Sequence, residues 1–302
     1  MNRRDFVAAA AASAANAQTR TPIGIGFLGA SHSHAEAKLK VVRESQDWKL
    51  IGVSESDPKL RDQLSRSGVA VVERANLLSH PEIRVIAVES AVREHARDGL
   101  AVLEVGKHLH LEKAPADNLR DFERVVDLAA RRKLLLQVGY MWRYHPGVEK
   151  MLEAARQGWL GKVYLVKGVI GNQLAPERRA EWGQFAGGVM FDLGGHVIDP
   201  LVRLLGKPVK VSPFLRTDGS YGDRLRDNTA AVLEWPSALG TVQSATLQPG
   251  SSRLRCIEIH GTNGSAILQP IEPPELSIFV ERPAGPYVKV SRRSSCGRTA
   301  GT

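Results

Sequence analysis

Apolar residues along the chain follow two rhythms, and the change between them falls near residue 140. Before it, short apolar runs at 23–28, 48–53, 85–88, 108–111 and 134–138 have the length of buried strands. Between them, stretches at 35–44, 93–105 and 119–131 repeat apolar residues with a helical period. Strands that alternate with amphipathic helices require crossover connections, and hence a parallel sheet with helices on its faces. After a further helix over 146–157 the rhythm shortens. Strands are predicted at 163–170, 209–215, 228–235, 239–246, 254–261, 264–269 and 275–280, and Asn263-Gly264 is a hairpin signal between two of them. A run of hairpins predicts a mainly antiparallel sheet, with a helix over 192–205 packed on one face.

The two ends read differently. Residues 1–20 begin with Arg3-Arg4 and Phe6, continue through an alanine-rich stretch and end at Ala15-Asn16-Ala17. A charged start, a mild apolar segment and a small-x-small site read as an export signal of the twin-arginine type, which implies a periplasmic protein. Residues 291–302 are polar, lack any hydrophobic period and are expected to hold no regular structure. Composition narrows the partners. The net charge is +9, yet the basic residues are scattered and no stretch interleaves them with aromatics, so no nucleic-acid partner is expected. No apolar run approaches the roughly 18 residues that membrane insertion as a helix needs. Cys256 and Cys296 are too few and too far apart for a disulfide framework or a thiolate metal site.

Chemistry enters at the carboxyl ends of the first strands, where ligands sit on parallel sheets. The first strand runs into Gly29-Ala30-Ser31-His32-Ser33-His34 and then into a helix. Strand, glycine turn and helix N-terminus is the arrangement that binds a dinucleotide pyrophosphate, so Gly29, Ala30, Ser31 and His32 are cofactor candidates. The usual G-x-G-x-x-G is reduced to its first glycine, with Ser31 and His34 at the other two positions. Glu55, at the end of the second strand, suits both ribose hydroxyls and opposes a 2′-phosphate, favouring NAD over NADP. Glu89, Ser90, Glu112 and Lys113 fall at later strand ends. His32 and His34 lack a neighbouring carboxylate or thiol in the sequence, so no metal is assigned. The predicted fold is α/β: a Rossmann-type parallel-sheet domain over 21–140, then an α+β domain with a mainly antiparallel sheet over 141–290.

Two segments carry a family resemblance. Gly106-Lys107-His108-Leu109-His110-Leu111-Glu112-Lys113 resembles the Glu-Lys-Pro stretch of the Gfo/Idh/MocA oxidoreductases, although Lys113 is followed here by Ala114-Pro115. Gly187 to Asp199 resembles the G-G-x-x-x-D-x-x-x-H-x-x-D element of that family. The resemblance implies NAD-dependent oxidation of a sugar, cyclitol or related polyol, with Lys113, His196 and Asp192 as catalytic group. On an α-helix Asp192, His196 and Asp199 would share one face. A histidine suits removal of a hydroxyl proton, and a lysine suits stabilising the oxygen left behind. His95 matches a histidine that follows a strand in the family and joins the cofactor candidates. Arg143, Tyr144 and Asp199 are substrate candidates, Arg143 alternatively forming only a salt bridge across the domain junction. The resemblance further implies a substrate cleft between the domains and homo-oligomers formed through the free face of the second sheet. Two alternatives stay open: an NAD-dependent glycosidase working by transient oxidation and elimination, and a non-catalytic nucleotide- or sugar-binding relative.

Overall fold

The computed structural model describes residues 21–288 and 292–295. The expected export signal and Cys296 lie outside the described residues. The chain divides into two compact units between Val138 and Gly139.

In the first unit, strands β1 (Ile23–Leu28), β2 (Trp48–Ser54), β3 (Ile83–Val88), β4 (His108–Leu111) and β5 (Leu136–Val138) form one sheet in the order β2-β1-β3-β4-β5. Every pairing in it is parallel. Helices α1 (Ala35–Glu44), α2 (Pro58–Arg66), α3 (Arg74–Ser79), α4 (Val92–Glu104) and α5 (Leu119–Arg132) connect the strands. All five expected strands are present. Helices α2 and α3 were not expected, and the reason is visible in their burial: α2 buries only Leu64 and α3 only Leu77, too little apolar surface to leave a period in the sequence. Asp57 starts α2 instead, its carboxylate accepting from the Lys59 amide at 2.7 Å, with Pro58 at the first helical position. Beneath α4 and α5 lies a core that includes Ile86, Val102, Leu103, Leu109, Leu111 and Val125.

The second unit is built on one large sheet. Its strands are β6 (Val163–Gly171), β7 (Lys210–Arg216), β8 (Asn228–Trp235), β9 (Ala238–Ala245), β10 (Cys256–Gly261), β11 (Gly264–Leu268), β12 (Glu275–Val280) and β13 (Arg292–Ser295). They lie in the order β13-β12-β11-β10-β6-β9-β8-β7. Only β6 and β9 run parallel; the other pairings are antiparallel. Helices α6 (Pro146–Arg156), α7 (Arg179–Gly183) and α8 (Gly195–Leu205) belong to this unit, and Val197 of α8 packs closely on Gly168 of β6. Burial alternates strictly along β8 and β9, as it must when one face covers a core and the other does not.

Two expectations are corrected by the structure and one is extended. The tail is not wholly without structure, because β13 pairs with β12 from Ile278 to Glu275. An edge strand is held by backbone hydrogen bonds, so polar side chains do not prevent it. The Asn263-Gly264 hairpin does join β10 to β11, but Asn263 also works as a clamp. Its amide donates to the Trp159 carbonyl at 3.0 Å and the Arg282 carbonyl at 3.1 Å, while its oxygen accepts from the Arg282 amide. Finally, the helix expected over 192–205 is α-helical only from Gly195; Met190–Gly194 forms one π-helical turn before it. Cys256 is a buried free thiol, pushed up to about 11 by burial and then by Glu258.

Candidate functional site

The turn after β1 is shaped by one glycine. Gly29 sits at φ +83°, and a side chain there would meet Ser90 backbone atoms at 2.5 Å. Only glycine combines that conformation with so close an approach to the end of β3. Most amides of the turn are already committed: Gly29 donates to the Ser54 carbonyl at 2.7 Å and His32 to the Glu89 carbonyl at 3.0 Å. Ala30, expected to face a phosphate, donates instead to Glu55 Oε2 at 2.6 Å. Glu55 therefore does local work. Its other oxygen accepts from the Ser56 and Asp57 amides at 2.7 and 2.9 Å, which ties the turn to the end of β2. Ser31 and Ser33 are exposed at the N-terminus of α1, where an anion meets backbone amides and the positive end of the helix dipole. That is the part of the turn that fits a pyrophosphate.

Behind the turn lies a buried network from three elements. Lys38, one turn into α1, donates its ammonium to Glu89 Oε1 at 2.5 Å, to His110 Nε2 at 2.8 Å and to Glu112 Oε2. Glu89 ends β3 and Glu112 ends β4, and both carboxylates are completely buried. Two carboxylates that share one ammonium do not titrate alike. Burial raises Glu89 to about 7, outweighing the Lys38 charge. Burial also opposes ionisation of Glu112, but the His34 hydrogen bond and Lys38 outweigh it and hold the group below the usual carboxylate range. The remaining oxygen of Glu112 accepts from the Lys113 amide at 2.9 Å and lies 3.2 Å from His34 Nδ1. His110 is pushed down to about 4 by burial and by Lys38. Its neutral ring faces Gln137 Oε1 with Nδ1, at 3.2 Å, and accepts a hydrogen bond from the Lys38 ammonium at Nε2. His32 packs edge-on to His34 with ring centroids 4.9 Å apart, and burial pushes it down to about 3.

His95 differs from its expected role. It is fully buried on α4, with Nδ1 2.7 Å from the Ala114 carbonyl and Nε2 2.8 Å from the Ser90 carbonyl. Both partners are acceptors, which favours a charged ring, but burial is the larger influence and moves its pKa down. No face of the ring is left for a ligand. His95 instead ties the segment after Lys113 to the segment after β3. Lys113 itself is buried, and its peptide bond to Ala114 is cis.

In the second unit, His196 is buried in the first turn of α8. Its ring lies 5.5 Å from that of Trp142 and 6.3 Å, edge-on, from that of Tyr140. A side chain on Gly195 would strike Tyr140 at 2.8 Å, so this glycine lets the aromatic ring close on the helix. Asp192 lies half-buried on the π-helical turn. The wider turn changes the angular offset between Asp192 and His196 from that of a continuous α-helix. Asp199 is engaged elsewhere: Arg143 Nε donates to both of its oxygens at 3.0 Å, and Nη2 to one at 2.6 Å. Arg143 and Asp199 thus form an ion pair, and it lies within the second unit, not across the domain junction as the alternative for Arg143 had it. Tyr144 is exposed beside them.

Sequence reasoning missed Lys38 and His110. Lys38 follows His34 by four residues and so shares its helix face. His110 alternates with buried Leu109 and Leu111, which marks a polar side chain on the opposite face of a strand. Neither signal names a partner. The missing carboxylate beside His32 and His34 is Glu112, 78 residues beyond His34.

Comparison with known proteins agrees with this reading. Residues 23–140 match the family described as oxidoreductase family, NAD-binding Rossmann fold, and residues 148–267 match the GFO/IDH/MocA C-terminal domain. A trans-1,2-dihydrobenzene-1,2-diol dehydrogenase from Bos taurus is 28% identical over 195 residues, which is 64% of this chain and 56% of the relative. The myo-inositol 2-dehydrogenase of Thermotoga maritima is 24% identical over 235 residues, covering 75% of this chain and 68% of the relative. The chain thus spans little more than half the length of the first of these. Among solved structures, a levoglucosan dehydrogenase in complex with NADH and levoglucosan superposes with a TM-score of 0.79 at 20% identity, over 91% of this chain and 80% of that one. The WlbA dehydrogenase from Bordetella pertussis, in complex with NADH and UDP-GlcNAcA, gives 0.76 at 19% identity over 84% and 75%. At those identities the likeness is one of fold. Both halves of the chain match the same family, and the protein belongs to the GFO/IDH/MocA oxidoreductases.

Proposed function

We propose that this protein is an NAD-dependent oxidoreductase acting on a ring-borne polyol, a sugar or a cyclitol. The observation that carries the reading is the turn after β1. Gly29 is held against Ser90 at φ +83°, and the exposed Ser31 and Ser33 stand at the N-terminus of α1. Matches to both family domains support it. The names of two relatives, a cyclic diol dehydrogenase and an inositol dehydrogenase, point to neighbouring hydroxyls on a ring. Glu55 places a carboxylate beside the turn, which favours NAD over a cofactor with a 2′-phosphate.

When bound, a nicotinamide supplies the acceptor for the hydride that leaves the carbinol carbon. The chain's own residues handle the proton. His196 takes it from the hydroxyl, its ring held by the packing of Trp142 and Tyr140. Lys113 supplies an ammonium suited to stabilising negative charge on a reacting oxygen. Its backbone is anchored by Glu112 at its amide, and by His95 through the Ala114 carbonyl. Asp192 orients the base or a neighbouring hydroxyl.

The first test is to denature the purified protein and identify any released nucleotide by mass spectrometry. Inositol and anhydrosugar oxidation is then followed by NADH absorbance. His196→Ala and Lys113→Ala are each expected to lower the rate at least about a hundredfold. Unchanged turnover in both variants would refute the assignment. We also propose export by the twin-arginine route, on the strength of Arg3-Arg4 and the alanine-rich stretch after it. Fractionation of cells making the Arg3→Lys, Arg4→Lys variant tests this, with retention in the cytoplasm as the expected result.

A further inference from the structure

The first unit holds two groups of metal-binding side chains around Glu112, and they differ in what already fills them. Glu89, His110 and Glu112 bring their ligand atoms within 4.8 Å of one another. The Lys38 ammonium touches all three, so a cation is already present there. His32, His34 and Glu112 also bring theirs within 4.8 Å, on the other side of Glu112. Glu112 Oε1 there faces His34 Nδ1 at 3.2 Å.

We propose that His32, His34 and Glu112 form a binding site for one late first-row transition cation such as Zn2+, Co2+ or Ni2+. The donor set is two imidazoles and one carboxylate, and their ligand atoms all lie within 4.8 Å of one another. The separation of His34 Nδ1 from Glu112 Oε1 is 3.2 Å. Two ligands on one tetrahedral zinc stand about 3.3 Å apart, given bonds of about 2.0 Å. A cation between them replaces the hydrogen bond, and the imidazole proton moves to Nε2 or to solvent. His32 gives up only a long contact, a 3.3 Å hydrogen bond from the His34 amide to its Nδ1.

The surroundings select the kind of metal. Lys38 is bonded to the far oxygen of Glu112, the charge of Lys113 acts on His32, and the positive end of α1 lies close by. These oppose a cation held by charge alone, as Mg2+ and Ca2+ are. Late transition metals form strong bonds to imidazole nitrogen and tolerate that field better. Lys38 and the Lys113 amide meanwhile hold the carboxylate in orientation, as second-layer partners do around metal ligands.

The inference goes beyond the oxidoreductase reading; because His32 belongs to the turn assigned to the cofactor, it is tested on the nucleotide-free chain, where its failure is distinguishable from failure of that reading. The full-length protein, stripped of metal and nucleotide, is titrated with Zn2+ by calorimetry and with Co2+ by visible absorption. One equivalent is expected to bind in the low micromolar range, while Mg2+ and Ca2+ do not bind. His32→Ala and His34→Ala are each expected to weaken binding at least about tenfold. His80→Ala, on a distant loop, leaves it unchanged. If the alanine variants lose their far-UV circular dichroism, His32→Gln and His34→Gln serve instead. Failure of Zn2+ and Co2+ to bind, or equal binding by the double variant, would overturn the proposal.

Discussion

The two units concentrate buried polar groups in opposite ways. In the first, Lys38, Glu89, His110 and Glu112 come from a helix and two strands, and the Lys38 ammonium bonds to the other three. In the second, Asp192, His196 and Asp199 lie within eight consecutive residues, and the rings of Trp142 and Tyr140 pack against His196. One region is a charge network gathered around Lys38. The other is a histidine packed by aromatic rings. The difference teaches where each is vulnerable: the network fails through its electrostatics, whereas the framed histidine fails through packing and chemistry.

The sharpest way to break the comparison is Lys38→Met. Without the ammonium, Glu89 and Glu112 remain buried beside each other, and removing one partner of a buried ionic group costs about 3–5 kcal/mol. Urea denaturation at pH 7.5 measures it. A loss below about 1 kcal/mol would mean that the network is hydrated and unlike its description here.

A smaller effect comes from Glu89. Its pKa in the folded state is raised to about 7, above the ordinary value of a glutamate, so its contribution to stability is fully present below that ordinary value. That contribution is lost as pH rises through about 7. Glu89→Gln mimics the protonated acid and removes this dependence. Relative to the parent, the variant is expected to gain on the order of 2 kcal/mol between pH 5 and pH 8. Parallel stability curves for the two proteins would show that Glu89 ionises freely. In the second unit, Arg143→Ala supplies the contrast. Arg143 is 47% exposed, so breaking its pair with Asp199 is expected to cost no more than about 1 kcal/mol. Thermal denaturation reads it, and a larger loss would give this pair a structural weight that its exposure denies.

Much of the architecture was legible because periodicity is a local property. All twelve expected strands appear, including the short β4 and the largely exposed β7, because each carries its apolar period in neighbouring residues. Helices α2 and α3 were not legible, since each buries one residue and is held by its cap or its neighbours. The same division runs through the candidate site. Gly29 could be read from its place after a strand, and His196 from its spacing to Asp192 and Asp199. The commitments of Glu55, His95 and Arg143 could not. Each is decided by which backbone group or charge the fold brings within hydrogen-bonding reach.

By itself, then, the sequence determined the order of strands and helices, the glycine turn and the histidine-bearing helix, all of which depend on residues near one another in the chain. The tertiary structure alone decided that Lys38 shares its proton donors between Glu89 and Glu112, and that His32 and His34 meet a carboxylate. Those contacts join residues 51 to 78 positions apart. A buried charge is tolerated only where a partner arrives, and partners at such distances are chosen by how the strands stack in the sheet, not by any local pattern.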